Sequence, residues 1–250
     1  MGNMKKSFTI IIIAALVAVG AWFFAQRSDG AKTGGTSKDG SATAFNKERF
    51  SLTNPTSIWV ITDKHRPLDP KTYAPDDLVA PAIPLRLTAK DDEMKLRREA
   101  ANALKELHDG AARQSLQLMV SSAYRSYNFQ SGLYNRYVQQ QGRAAADTQS
   151  ARPGFSEHQT GLAVDVEPAS RKCEVEACFS QTPEGQWVAA NAYTYGFIVR
   201  YPEGKQQVTG YIYEPWHLRY VGKTLAAEVH KQGNPTLEEF FGLEEAPDYL

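Results

Sequence analysis

Ser156-Glu157-His158-Gln159-Thr160-Gly161-Leu162-Ala163-Val164-Asp165-Val166 is the stretch on which the reading of this chain turns. From Leu162 the residues alternate with a period of two, which places Leu162, Val164 and Val166 on one face of a strand and Ala163 and Asp165 on the other. An aspartate in so apolar a strand needs a partner, because a buried, unpaired carboxylate is very costly. Gly161 permits a sharp turn ahead of the strand that brings His158 back towards Asp165. The small Ala163 leaves room beside the carboxylate for an ion. Joined by an imidazole from a later strand, His158 and Asp165 make a three-ligand set with a fourth position open, which is how catalytic zinc is held. A buried Asp–His pair without metal is the competing reading of the same spacing.

Outward from this strand, the pattern predicts helices early and strands late. Helices are expected over Asp91 to Ala112, Tyr127 to Gln141 (ending at Gly142), Ala144 to Ser150, Pro183 to Tyr195, Val221 to Gln232 and Leu237 to Phe241. Strands are expected at Ile58 to Ile61, Leu116 to Val120, Leu162 to Val166, Phe197 to Tyr201 and Val208 to Tyr213. Pro67, Pro70, Pro75, Pro81 and Pro84 forbid regular structure between the first strand and the first helix and predict an extended strap. The plan is α+β, with a small, largely antiparallel sheet flanked by helices.

The N-terminal part is a different material. Lys5 and Lys6 precede Phe8 to Ala25, a run without charge that is long enough as a helix to cross a hydrocarbon core. Its end, Trp22-Phe23-Phe24-Ala25-Gln26, suits an aromatic belt on a retained anchor better than a signal-peptide cleavage site, which is the alternative. Residues 26–50 are Gly-, Ser- and Lys-rich and read as a flexible stalk. The expected organisation is therefore 1–25 membrane anchor or signal, 26–50 linker and 51–250 exported folded domain, single-pass with the domain outside the cell or, after cleavage, secreted. The 250 residues carry 28 basic and 28 acidic side chains, so there is no electrostatic footprint for nucleic acid. In an exported chain the two cysteines, Cys173 and Cys178, are either a local disulfide or two free thiols.

Of the five histidines, His65, His108 and His230 read as solvated or locally capped. His217 closes Tyr213-Glu214-Pro215-Trp216-His217, and Glu214 is placed to take a proton from an attacking water and pass it to a leaving amine. A regular strand would point Glu214 and His217 to opposite faces. Pro215 marks a bulge or edge at which one side chain can be re-aimed.

These segments together resemble the VanY-type D-alanyl-D-alanine carboxypeptidases of the LAS group of zinc peptidases. The resemblance rests on Ser-x-His-x6-Asp over Ser156 to Asp165 and Glu-x-Trp-His over Glu214 to His217. It extends to Ser122-Ala123-Tyr124-Arg125-Ser126 with Gln130, to Pro153 to Gly161, to Tyr195 to Pro202 and to Glu214 to Gly222. The strap from Arg66 to Val79 fits as well, so that about 55–228 is covered. It implies one zinc ion bound by His158, Asp165 and His217, with Glu214 as general base and acid. Arg125 is then a catalytic and substrate-binding residue that stabilises the carbonyl oxygen or grips the terminal carboxylate. Ser156 and Gln130 are implied in substrate binding, and Trp216 is expected to pack behind the ligands. The implied substrates are the stem peptides of peptidoglycan, shortened by a terminal D-alanine. Alternatives within reach of the same residues are L,D-carboxypeptidase or endopeptidase activity on wall peptides, or a zinc-containing wall-binding module without catalysis.

Overall fold

The computed structural model describes residues 45–250. The expected anchor and most of the expected stalk lie outside the described residues. Among the described residues, no helix is long and apolar enough to cross a membrane. Phe45, ahead of the expected domain edge, is already packed: its ring stacks on Trp59, 5.6 Å between centroids, and meets Phe240 edge-on.

The architecture is α+β. Strands β1 (Leu78–Val79) and β2 (Leu96–Arg97) form a two-stranded antiparallel ribbon. Strands β3 (Leu118–Ser122), β4 (Ala163–Pro168), β5 (Phe197–Tyr201) and β6 (Glu214–Tyr220) form the main sheet in the order β3-β4-β6-β5, antiparallel throughout. Helices α1 (Arg98–Ala112), α2 (Tyr127–Gln141), α3 (Arg143–Gln149), α4 (Pro183–Asn191), α5 (Gln206–Thr209), α6 (Lys223–Lys231) and α7 (Leu237–Phe241) flank it.

The alternation read in β4 decides how the sheet is used. Leu162, Val164, Val166 and Leu218 are fully buried in one cluster with Leu104 and Leu107 of α1 and Val188 of α4. Burying each such side chain stabilises the fold by about 1.5–3 kcal/mol relative to exposure. The opposite face carries Asp165, His217, Arg219 and Arg200, all buried as well. A sheet with one oily and one charged inner face needs polar cover on the second, and Glu238 of α7, the carbonyls of Ile58 and Val60 and the Glu157 turn provide it.

Several expected elements take another form. Residues 58–61 are not a strand. Their carbonyls at Ile58 and Val60 accept from the Arg219 guanidinium at 3.1 and 2.7 Å, which replaces ladder partners with a side chain. The expected helix from Asp91 starts only at Arg98, because Leu96 and Arg97 pair with β1 and only a short 3-10 turn, Asp92–Met94, precedes them. Val208 to Tyr213 is not a strand either. It holds the end of α5 and a turn at Gly210 (φ 82°), with Val208 O accepting from Ala246 N near the C-terminus. The last strand begins instead at Glu214. The helix expected over Pro183 to Tyr195 divides into α4 and a 3-10 turn, Ala192–Tyr195. Cys173 and Cys178 are joined as a disulfide.

Candidate active site

The site is assembled by sheet register. Ser122 of β3 lies opposite Asp165 of β4, which lies opposite His217 of β6, so the three form one row across the sheet. Directly opposed residues share a face, which fixes Asp165 and His217 on the same side. A bulge in β3 between Val120 and Ser122 adjoins this row.

A larger irregularity in β6 brings in Glu214. Val199 pairs with Leu218 and Tyr201 with Glu214, so Arg200 alone of β5 lies opposite Pro215, Trp216 and His217. The two additional residues defeat the alternation that would part Glu214 from His217, and Glu214 Oε2 lies 3.6 Å from His217 Nδ1. Pro215, which has no N–H to lose, sits within the bulge.

His158 arrives from the turn before β4. Gly161 has φ 68°, and a side chain there would meet Arg97 Cγ and Leu78 Cδ2 at 3.0 Å. Only glycine makes this reversal without strain. His158 Nδ1 donates to Ala123 O at 2.6 Å, which fixes the ring and turns Nε2 towards Asp165. His158 Nε2 and Asp165 Oδ2 are 3.4 Å apart, and His217 Nδ1 and Asp165 Oδ1 are 3.2 Å apart. Taking one donor atom from each residue, the three lie within 4.8 Å of one another, close enough to share one ion. Asp165 Oδ1 has no hydrogen-bond partner despite the nearby imidazole, so the lone pairs converge on a common point instead of on one another. Among the described residues, His158, Asp165 and His217 are the one trio of this kind, and all three are buried. The donor set of two neutral-capable nitrogens and one carboxylate suits zinc.

Arg125 closes the cluster. Its guanidinium donates to Ser122 Oγ at 3.1 Å, to Asp165 Oδ2 at 2.9 Å and to His158 Nε2 at 2.9 Å. The single lone pair of His158 Nε2 is one a cation needs, so ion binding there and the present Arg125–His158 hydrogen bond are mutually exclusive.

Charge and burial divide the carboxylates. Burial alone would raise Asp165, but His158, His217 and Arg125 outweigh it and hold the carboxylate well below the usual range. Burial pushes Glu214 the other way, up to about 7. At His217 burial opposes the charge, yet Asp165 and Glu157 prevail and raise it to about 9. His158 is lowered to about 4 by burial and by Arg125.

These side chains line a cavity of about 210 Å³ that also receives Ser156, Tyr201, Tyr211, Trp216 and Val175. Trp216 does two things: it packs in the core behind the ligands, as expected, and shows an edge to the cavity. Gln130 is placed differently from the other expected site residues. It is fully buried, outside the cavity lining, and its amide donates to Ser150 Oγ at 3.2 Å and Ala151 O at 2.7 Å, two residues that do line the cavity. His230 stacks on Tyr193, 3.6 Å between centroids, and His65, His108 and His230 are all outside the cavity lining.

Sequence reasoning passed over Glu157. Its Oε1 accepts from Arg200 Nε at 2.7 Å and from Arg219 at 2.8 Å, and Arg200 makes a double contact with Glu238 at 2.6 and 2.9 Å. Glu157 Oε2 faces His217 Nε2 at 3.6 Å, on the far side of the ring from Nδ1. A signal was present in the strands themselves: an arginine amid Phe197 to Tyr201 and another amid Trp216 to Tyr220 demand buried carboxylates.

Comparison with known proteins matches this geometry to one family. The family model VanY, D-alanyl-D-alanine carboxypeptidase, matches residues 93–223. The putative carboxypeptidase YodJ of Bacillus subtilis (strain 168) is 44% identical over 191 residues, 76% of this chain and 69% of that protein. The solved LdcB LD-carboxypeptidase superposes with a TM-score of 0.71 at 42% identity, covering 76% of this chain and 88% of that one. The vancomycin-resistance D,D-pentapeptidase VanY, solved as a mutant in complex with Zn(II), superposes with a TM-score of 0.60 at 29% identity, covering 72% and 97%. With the ligand trio, the bulged strand and the arginine all falling within the matched region, the chain belongs to the VanY D-alanyl-D-alanine carboxypeptidase family.

Proposed function

We propose that this chain is a zinc-dependent carboxypeptidase that hydrolyses the terminal D-alanine from peptidoglycan stem peptides. The observation that carries the reading is the convergence of His158, Asp165 and His217 at ligand spacing with Glu214 within 3.6 Å of the same imidazole. Zinc in this trio supplies a Lewis acid that acidifies water and polarises the scissile carbonyl.

The chain's own groups do the rest. Glu214 takes a proton from the attacking water and delivers it to the departing amine nitrogen. Its carboxylate, 3.6 Å from His217 Nδ1, is placed for both halves of that transfer. Arg125, released from Asp165 and His158, turns its planar fork to the carbonyl oxygen as charge develops there, or to the substrate's terminal carboxylate. Ser156 lines the cavity and is placed to bind the substrate terminus. Gln130 contributes indirectly, by holding the Ser150–Ala151 wall. No side chain needs to form a covalent intermediate.

The Lys5, Lys6 and Phe8–Ala25 pattern supports an exported domain tethered to the bacterial cell membrane, its substrate being the wall outside.

A second reading has support of its own. The likeness to the LD-carboxypeptidase, TM-score 0.71, exceeds that to the D,D-pentapeptidase, 0.60. Both activities remove a terminal D-alanine and differ in the residue before the cut. End-product analysis with the full chain and a tripeptide, tetrapeptide and pentapeptide series separates them. D-alanine released from the pentapeptide and lost on chelation is the expected result. Release from the tetrapeptide alone establishes the second reading, and release insensitive to chelator refutes both.

A further inference from the structure

The loop after β4 carries a feature that the chemistry above does not use. Between Arg171 and Val175, three residues other than glycine adopt the left-handed backbone region: Arg171 (φ 60°), Cys173 (φ 59°) and Val175 (φ 48°). For a β-branched residue this conformation is a steric outlier, and it persists only where surrounding structure over-determines it.

The determinants are visible on either side. Cys173 packs against the main core and is tied to Cys178 by the disulfide. Glu174 pairs with Arg86 of the strap at 2.5 Å and with Arg171 at 2.6 Å. These contacts hold the neighbours of Val175 and leave its own side chain 37% exposed, yet lining the cavity that contains Glu214 and the ligand trio. The cavity is polar at its chemical end. Its apolar lining includes Leu133 and Tyr137 of α2, Ile212, Trp216 and Val175. Of these, Val175 is the one contributed by a covalently closed loop.

We propose that Val175 is a specificity-determining residue that touches the substrate beside the scissile bond and sets which penultimate residue is accepted, and that the Cys173–Cys178 loop is the device that holds it there. The inference rests on the carboxypeptidase reading. An isopropyl group offers an apolar surface to a penultimate side chain and no hydrogen-bonding group to its backbone, so it discriminates by shape. Strain fixed by a cross-link is a suitable means, because a loop free to relax would withdraw the side chain and lose the discrimination.

The test compares kcat/KM for a tetrapeptide and a pentapeptide, both ending in D-alanine, in the full-length zinc-loaded chain, in Val175→Ala and in Cys173→Ser/Cys178→Ser. Each variant is expected to shift the ratio of the two values by roughly tenfold, the low end for a lost apolar contact. The cysteine variant should shift it in the same direction as Val175→Ala. Binding of both peptides to the same variants in a Glu214→Gln background, read calorimetrically, should show the same change in preference without turnover. A merely structural loop would lower the melting temperature and leave the ratio where it was. A ratio within about twofold of wild type in both variants, with the wild type active, overturns this inference alone. A wild type that releases no residue from either peptide overturns the carboxypeptidase reading and this inference with it.

Discussion

Two clusters of buried charge lie back to back across His217, and they are built on opposite principles. In one, Glu157 and Glu238 face Arg200 and Arg219 at 2.6–2.9 Å, every one of them 0–1% exposed, and the formal charges cancel. In the other, Asp165 and Glu214 stand with two imidazoles; Arg125 bonds Asp165 Oδ2 and His158 Nε2, and Asp165 Oδ1 has no hydrogen-bond partner. The first cluster pairs all four of its charges internally, with Glu157 Oε2 alone left facing His217; the second is closed by Arg125 alone. Buried ion pairs are poor net stabilisers but expensive to break, so the first is a frame that resists rearrangement while the second stays chemically available.

This contrast predicts opposite responses to one-atom changes. Glu214→Gln should lower D-alanine release by about 10²–10⁴-fold, the range for loss of a general base. Zinc content by atomic absorption and the melting temperature should change little; a large drop in either would move Glu214 into the frame. Glu238→Gln should do the reverse. Leaving Arg200 partly uncompensated is expected to cost about 3–5 kcal/mol of stability, a fall in Tm of roughly 10 °C for a domain of this size. Whatever folded fraction remains at low temperature should keep near-normal turnover, and a selective loss of kcat would show that the frame acts on the chemistry directly. Smallest is the response to the ion. Zinc at a hundred times its Kd should stabilise the wild type by about 2.7 kcal/mol and His217→Ala by nothing measurable in the same thermal melt.

Much of this was legible in the residues. The alternation of Leu162 to Val166 gave both faces of β4, and Gly161 gave the turn that returns His158 to Asp165. The spans Tyr127–Gln141, Phe197–Tyr201 and Leu237–Phe241 were readable because pattern, cap and following glycine or turn agree locally. The failures share a cause. Residues 58–61 look like a strand, but their backbone partner is Arg219, far off in sequence. Residues 208–213 alternate as a strand does, yet Gly210 is pressed against Ala246 O and no ladder forms there. Leu96 and Arg97 carry a helical pattern and are captured by β1. In each case a tertiary partner outcompeted a local preference. Glu157 escaped notice for a related reason: adjacent to a ligand it reads as a solvent-side neighbour, and only the two arginines meeting over it reveal its burial.

The bulge in β6 has a further consequence for how such a site can change. Removing two residues between Glu214 and Leu218 would restore even pairing with β5 and yield a more regular sheet, while turning the Glu214 carboxylate away from His217. Conversely, a flat antiparallel ladder of this type is two inserted residues short of juxtaposing a carboxylate with an imidazole. The approach of Glu214 to His217 is a length variant of an otherwise ordinary strand, and a redesign that optimised ladder hydrogen bonding would erase it without disturbing a single core leucine.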